Sequence, residues 1–217
     1  MTMLPERTEY SRAERLSDLI VHIAGIAAVL FAVPVLVAVT VLKRGDWAAL
    51  VATGIYSATL TAMVVFSALY NTLGQHRWTG VLKRLDHSAI YAKIAGTYTA
   101  FVLMTGGHTG LLAGVWAAAA AGIGLKICAP DRLRGLAIAL SLGMGWAGIL
   151  AGGGFLDELA PPVVALVGTG GALYTLGVGF YLFDRLPFHY TIWHVLVLAA
   201  SLTIYAAVTL HVLGVPA

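Results

Sequence analysis

Long apolar stretches constrain the fold of this chain more than any other feature. A helix needs about 20 apolar residues to cross the hydrocarbon core of a bilayer. Seven stretches approach or exceed that length, at 19–42, 47–70, 87–106, 110–128, 134–153, 162–183 and 189–213. The chain is 59% hydrophobic and 11% charged, with a mean hydropathy of +0.88, more apolar surface than a water-soluble domain can bury. We therefore predict an all-α integral membrane bundle of seven transmembrane helices over 19–217, preceded by a cytoplasmic N-terminal segment over 1–18.

Composition excludes several classes of protein and site. The single cysteine, Cys128, cannot form an intramolecular disulfide or a cysteine-based zinc cluster. The formal charge of the chain is only +3. Because the basic residues serve to orient the chain in the membrane, we predict no nucleic-acid partner. The N-terminus carries charges of both signs well before the first apolar run, which is not the pattern of a cleavable signal peptide. Small residues in stretches such as "AAAAAGIG" favour close helix packing.

The distribution of lysine and arginine predicts the orientation. With the N-terminus inside, ten basic residues fall on the cytoplasmic side and only Lys43 and Arg44 fall outside. The ten are Arg7, Arg12, Arg15, Arg77, Lys83, Arg84, Lys126, Arg132, Arg134 and Arg185. Positive charge collects on the cytoplasmic side of membrane proteins. We therefore predict a cytoplasmic N-terminus and, after seven crossings, an outer C-terminus.

Polar residues within the spans are the candidates for function, because ionisable groups are costly at membrane depth. They are His22, Ser67, Asn71, Asp86, His87, Lys93, His189, Tyr190 and His194. Most of them open the first, third and seventh spans or close the second. Alternation of direction brings these ends to the same leaflet. The sequence therefore predicts a polar pocket at the cytoplasmic leaflet.

Structural roles compete with this interpretation. Asp86 can act as the N-cap of the third span, and His22 can serve as a hydrogen-bonding residue between helices. Lys93 follows Asp86 by seven residues on the same helix face, so its side chain can either approach Asp86 or extend to the headgroups. His189, directly after Pro187-Phe188, can lie at the membrane interface. These alternatives stay open at the level of sequence.

The two histidines of "PFHYTIWH" are five residues apart, which is unfavourable for joint ligation of a metal. Residues i and i+4 of a helix lie about 40° apart around its axis, whereas i and i+5 lie about 140° apart. The helical partner of His194 is therefore position 190, where this chain has tyrosine. His189 could serve only if the helix begins irregularly.

Several segments resemble the hemolysin III family of the progestin and adiponectin receptor (PAQR) superfamily. They are "AERLSDLIVHIAG", "SALYN", "LDHSAIYAKIAGTYTAF", "LYTLGVGFYLFDRLPFH" and "IWHVLVLAAS", in the expected order. The resemblance implies seven transmembrane helices with a cytoplasmic N-terminus, and a bacterial inner membrane as the location. The cytoplasmic N-terminus agrees with the charge distribution.

The resemblance also implies a zinc site. Relatives bind zinc through one histidine at the end of the second span and an HxxxH pair in the seventh, with a serine and a water-orienting aspartate nearby. Some relatives hydrolyse ceramide amides. The serine corresponds to Ser67, the aspartate to Asp86 and the last histidine to His194. The other two ligand positions fall on Asn71 and Tyr190.

These replacements argue against a zinc ion at the family positions. A catalytic zinc takes three strong protein ligands, and a neutral amide or a protonated phenol is a poor one. The asparagine that the family carries four residues before His22 is Asp18 here. His87 and His189 are two further histidines that could replace a ligand. The other hypothesis is a metal-free network in which Lys93 compensates the charge of Asp86.

Three functions follow from these considerations. The first is a hemolysin III-like membrane protein whose pocket derives from a zinc-dependent lipid amide hydrolase site, degenerate or metal-free here. The second is an active zinc hydrolase of ceramide-like lipids, with Asp86 and Ser67 as catalytic residues. The third is a pore-forming or lipid-sensing protein. Membrane lipids are the expected partners in every case, and retinal is excluded because the seventh span has no lysine.

Overall fold

Eight α-helices and one short 3-10 helix make up the described part of the protein. The structure, a computed structural model, describes residues 10–73, 78–128, 133–150 and 154–214. The helices are α1 (Arg12–Lys43), α2 (Trp47–Leu73), α3 (Thr79–Thr105), α4 (Thr109–Cys128), α5 (Arg134–Gly145), α6 (Ala147–Leu150), α7 (Pro161–Leu182) and α8 (His189–Val212), with a 3-10 turn at Leu156–Glu158 before α7. Arg7, Arg77 and Arg132 of the charge count lie outside the described residues.

Membrane character is confirmed by length and composition. Five helices, α1, α2, α4, α7 and α8, are long and apolar enough to cross a bilayer. α3 has 27 residues but carries Lys83, Arg84, Asp86 and Lys93, and the fifth apolar stretch is divided between α5 and α6. Leu30 and Phe31 of α1 are 69% and 77% exposed, as expected of side chains solvated by lipid. The seven crossings and the cytoplasmic N-terminus stay predictions.

The helix boundaries follow local capping chemistry. α1 begins inside the predicted N-terminal segment because Ser11 and Glu14 form a capping box, which satisfies backbone N–H groups at the helix start. α3 ends at Gly106, whose φ of 79° is a left-handed conformation that glycine adopts without strain. α7 begins with Pro161, a residue suited to the first turn.

α3 is the inner helix of the bundle. It packs against α2 and α4, and also against α5 and α8. Glycine permits two of these contacts: a Cβ at Gly96 would overlap the Thr59 side chain of α2, and one at Gly122 of α4 would overlap the Tyr91 ring. α1 packs on α2 and α8, and α7 packs mainly on α8.

The fifth stretch breaks at Trp146, between α5 and α6. Tyr98 of α3 supports the break: its hydroxyl donates to the carbonyl of Gly145 at 3.1 Å and accepts from the N–H of Gly148 at 2.8 Å. Tyr91 donates to the carbonyl of Ala137 at 2.8 Å. Two tyrosines of α3 therefore fasten the fifth stretch to the centre of the bundle.

Candidate functional site

Four helix ends meet at one end of the bundle, which we call the polar end. They are the first turns of α1, α3 and α8 and the last turns of α2. A cavity of about 150 Å³ lies between them. The polar side chains in its wall include His22, Ser67, Asp86, His87, Tyr190 and His194, together with the basic residues Lys126 and Arg134. The structure thus brings most of the candidate residues, distant in sequence, into one pocket.

Asp18 lies between two buried histidines. Its Oδ1 is 2.6 Å from Nδ1 of His194, and its Oδ2 is 3.3 Å from Nε2 of His22. The two imidazole centroids are 4.6 Å apart. The three possible ligand atoms lie within 4.8 Å of one another. This carboxylate with two imidazoles, from α1 and α8, is the most concentrated group of metal-ligating side chains among the described residues.

Hydrogen bonds between α1 and the start of α8 fix this arrangement. The Glu14 carboxylate accepts from the backbone N–H of Phe188 at 2.9 Å. Phe188 has a φ of 59°, and α8 begins at the next residue. The hydroxyls of Ser17 and Thr191 are 3.0 Å apart. These contacts set the register that places His194 beside Asp18.

On the facing wall, Asp86 is buried and the Ser67 side chain faces its carboxyl group. Asn71 lies one turn after Ser67 on α2. Its amide nitrogen donates to the Ser67 carbonyl at 2.9 Å and lies 3.5 Å from the Ser67 hydroxyl. The Asn71 side chain is therefore folded back along its own helix.

Tyr190 is part of an aromatic cluster. Its ring stands edge-on to His194 with a centroid separation of 4.6 Å, and it also contacts Tyr10 and Tyr181. A phenol packed in this way is a poor ligand, because it must lose a proton in an apolar setting before it can bind a metal strongly.

The residues at the family's ligand positions do not fit a zinc ion. Asn71 uses its amide on the helix backbone, and Tyr190 offers a neutral phenol, so only His194 remains a strong ligand there. No reaction step through a metal at those positions follows from this structure.

Three other candidates have definite places. His87 lines the cavity and stands edge-on to Tyr70 at 6.2 Å. His189 is buried among protein groups: its ring nitrogens lie 3.3 Å from the Tyr10 hydroxyl and 3.3 Å from the carbonyl of Phe180. Neither of them joins the Asp18 group.

Lys93 is buried, and its ammonium group lies 4.6 Å from the centroid of the Tyr174 ring. A cation over an aromatic face is stabilised by the ring quadrupole. The structure therefore shows a cation–π contact with α7, an arrangement that neither of the two sequence-based alternatives, approach to Asp86 or extension to the headgroups, included.

The sequence identified Asp18 as a departure from the family pattern but not as a candidate site residue. Its spacing of four residues from His22 puts the two side chains on one helix face, a signal that was available. Its proximity to His194, 176 positions away, comes only from the fold.

A second cavity, of about 120 Å³, continues from the first along the bundle. The two share wall residues, among them Met63, Ile90, Ser141, Tyr174, Val178 and Trp193. The second is lined by Lys93, Tyr98 and a predominantly apolar set that reaches Leu159 beyond α6. The combined space is polar at one end and apolar along its length.

Comparisons with known proteins agree with these features. The family model "Haemolysin-III related" matches residues 11–205. The chain is 35% identical over 205 residues to "Hemolysin-3" of Bacillus cereus, an alignment that covers 92% of each protein. It is 34% identical over 209 residues to "Hemolysin-3 homolog" of Bacillus subtilis (strain 168), covering 94% of this chain and 96% of the relative. The helical membrane bundle, its polar pocket and these matches together place the chain in the hemolysin III family of the PAQR superfamily.

Proposed function

We propose that this protein binds a membrane lipid, with its acyl chain in the two adjoining cavities and its polar group at the Ser67–Asp86 wall. The observation that carries the proposal is the gradient in the cavity walls. Asp86 and Ser67 lie at one end, and Met63, Ile90 and Val178 line the middle. An amphiphile has the same gradient, with one polar end and one apolar chain.

The arrangement of helices supports entry from the bilayer. The cavity walls include Ser141 of α5 and Tyr174 of α7. α5 packs mainly on α4 and α3, whereas α7 packs mainly on α8. The space between α5 and α7 is therefore the natural side entrance for a lipid that arrives from the membrane.

Hydrogen-bonding groups at the polar end suit a lipid amide or ester. Ser67 can donate to a carbonyl oxygen, and Asp86 can accept from an amide N–H or a hydroxyl. Ceramide-like lipids offer all three groups. The pocket derives, on this proposal, from a lipid amide hydrolase site that has lost two of its metal ligands.

A cavity-filling variant tests the binding. Val178→Trp narrows the junction of the two cavities, whereas Leu176→Trp adds the same side chain at a position that is 54% exposed on the same helix. A fluorescent long-chain ceramide is titrated into delipidated protein in detergent. We expect Val178→Trp to weaken binding at least tenfold, about 1.4 kcal/mol, and Leu176→Trp to leave it unchanged. Equal binding by the two variants, or none by the wild type, contradicts the proposal.

Two further assays on the same purified protein distinguish lipid hydrolysis and pore formation from simple binding. Mass spectrometry of the incubated ceramide detects a released fatty acid, and its loss in Asp86→Asn would identify a hydrolase. Leakage of dye from phosphatidylcholine vesicles would identify a pore. The mainly apolar lining of the second cavity favours an acyl chain over a hydrated channel.

A further inference from the structure

We propose that Asp18, His22 and His194 form a binding site for a divalent transition-metal ion of the zinc type. The inference goes beyond lipid binding and does not depend on it. The ligand positions implied by the family resemblance lie on α2 and α8. The ligands of the proposed site lie on α1 and α8.

The geometry needs only small adjustments. A tetrahedral zinc with bonds of about 2.0–2.2 Å holds its ligand atoms about 3.3 Å apart. Oδ2 of Asp18 lies 3.3 Å from Nε2 of His22, and Oδ1 lies 2.6 Å from Nδ1 of His194. With one ligand atom taken from each residue, all three separations are within 4.8 Å. Rotations of the two imidazoles can bring all three atoms to metal-bonding distance. Two histidines and one carboxylate are a known ligand set of catalytic zinc sites.

The environment of His22 also suits a metal ligand. Its side chain is buried, and Nε2 lies 3.3 Å from the Asp18 carboxylate but makes no well-aligned hydrogen bond within the described ranges. A buried polar nitrogen whose hydrogen bonding is incomplete is costly. A metal ion bound to this atom would remove the cost.

The carboxylate of Asp18 lies between two imidazoles and also favours a cation, although Lys126 and Arg134 supply positive charge elsewhere in the cavity wall. A carboxylate at membrane depth is stabilised only by a nearby positive charge or by strong hydrogen bonds. Here the family's neutral asparagine has become an aspartate while two of its histidine ligands have become Asn71 and Tyr190. A metal bound at the new carboxylate accounts for the gain and the losses together.

The surroundings leave one coordination position open. The wall of the cavity contains His22 and His194 on one side and Ser67 and Asp86 on another. A fourth ligand from the cavity, a water molecule or a lipid oxygen, can complete the tetrahedron. The site is therefore of the open kind rather than a closed structural site.

Metal loading of the full-length protein in detergent tests the proposal. The purified wild type is treated with a chelator, separated from it and incubated with Zn²⁺, Co²⁺ or, without oxygen, Fe²⁺. We expect one bound Zn²⁺ per chain by elemental analysis, and the intense visible absorption of four-coordinate Co²⁺. Preferred uptake of Fe²⁺ would overturn the zinc assignment, since two histidines and one carboxylate also bind non-haem iron.

Matched variants locate the ligands. Asp18→Asn and His22→Gln change the donors with little change in shape, and each should weaken Zn²⁺ binding by more than about 100-fold, beyond the effect of an outer-shell partner. His189→Gln alters a buried histidine at the same helix end, and Tyr190→Phe alters the family ligand position; both should retain the metal. Binding that survives Asp18→Asn and His22→Gln but is lost in Tyr190→Phe would overturn the assignment.

Misfolded variants do not affect the interpretation. Only variants that elute like the wild type in size-exclusion chromatography are compared, and the metal content of the wild type tests the proposal without any variant. A wild type without bound Zn²⁺ refutes the metal site, whether or not ceramide binds. Conversely, ceramide binding that fails in a zinc-loaded protein refutes only the proposed lipid function.

Discussion

The same chemical change, tyrosine to phenylalanine, should have opposite effects at two buried positions. The Tyr98 hydroxyl bonds two backbone groups at the break between α5 and α6. The Tyr56 ring is fully buried, and its hydroxyl has no hydrogen-bond partner in the part of the chain that the structure describes. Removing the hydroxyl therefore breaks two hydrogen bonds in one case and removes an unsatisfied polar group in the other.

The magnitude at Tyr98 follows from the local backbone. The N–H of Ile149, the usual helical partner of the Gly145 carbonyl, bonds Trp146 instead, so the helix does not replace the lost contact. Each buried group left unpaired costs about 1–3 kcal/mol, whereas polar contacts inside membrane proteins average about 0.6 kcal/mol. We expect Tyr98→Phe to lower the free energy of unfolding by about 2 kcal/mol, at the low end of the sum for two groups.

Tyr56→Phe should be neutral or stabilising, by up to about 1–3 kcal/mol, the cost of burying an unpaired hydroxyl. Equilibrium unfolding in mixed micelles, followed by tryptophan fluorescence, measures both variants. Hydrogen exchange adds a local readout, because the Gly148 amide should exchange faster in Tyr98→Phe. Equal destabilisation by the two substitutions would refute the reasoning, since the two ring environments differ mainly in the partners of the hydroxyl.

Two further predictions concern helix packing and capping. Gly96→Ala should destabilise the bundle by about 1–3 kcal/mol, because the added methyl group overpacks against Thr59. In the same unfolding assay, the double variant with Thr59→Ala should recover most of this loss of stability. A double variant without recovery would argue against the contact. The N–H of Ala49 holds the pKa of the Asp46 carboxyl below its ordinary value. That ionised carboxyl therefore stabilises the fold above about pH 3.9 and ceases to do so as the pH falls through the lowered pKa. The stability difference between wild type and Asp46→Asn should disappear in acid, and a difference that is independent of pH would contradict this.

Apolar stretches predicted the helices well because burial in lipid demands little beyond hydrophobicity and length. The helix ends were less predictable. α1 begins at Arg12, before the apolar run at 19–42, because Ser11 and Glu14 cap it. α3 begins at Thr79, eight residues before the apolar run at 87–106. Polar residues continue a helix past the apolar core, so hydropathy marks where a span lies rather than where its helix ends.

The break in the fifth stretch illustrates a feature that hydropathy cannot supply. The run 134–153 is apolar apart from Arg134 and Ser141, with glycines throughout. Its division at Trp146 depends on Tyr98, which lies about fifty positions away in sequence. Glycine permits an irregular backbone in this stretch, but the hydroxyl of Tyr98 determines where the helix breaks.

The candidate site was predictable in outline because helix direction alone brings Ser67, Asp86 and His194 to one end of the bundle. The contacts between individual side chains of the site were not predictable. Lys93 is matched to Asp86 by helical spacing, yet its ammonium group lies over Tyr174 of α7. Spacing describes one helix, whereas the partner of a buried charge is set by which neighbouring helix lies closest.

The replacements at positions 18, 71 and 190 are best understood as one change. Losing two histidine ligands alone would leave Asp86 beside a site of reduced positive charge, and gaining a carboxylate at Asp18 would worsen that deficit. The hydrogen bond from His194 and the 3.3 Å contact with His22 reduce the cost of burying Asp18, but Nε2 of His22 makes no well-aligned hydrogen bond among the described residues. A dication between these three side chains satisfies the carboxylate and this nitrogen at once, and leaves Asn71 and Tyr190 free to serve packing. In the metal-free alternative, neutral imidazole N–H groups donate to Asp18, and the buried carboxylate then has hydrogen bonds but no cation beside it. On the proposed assignment, a cation bound by all three side chains is therefore what would make the set consistent.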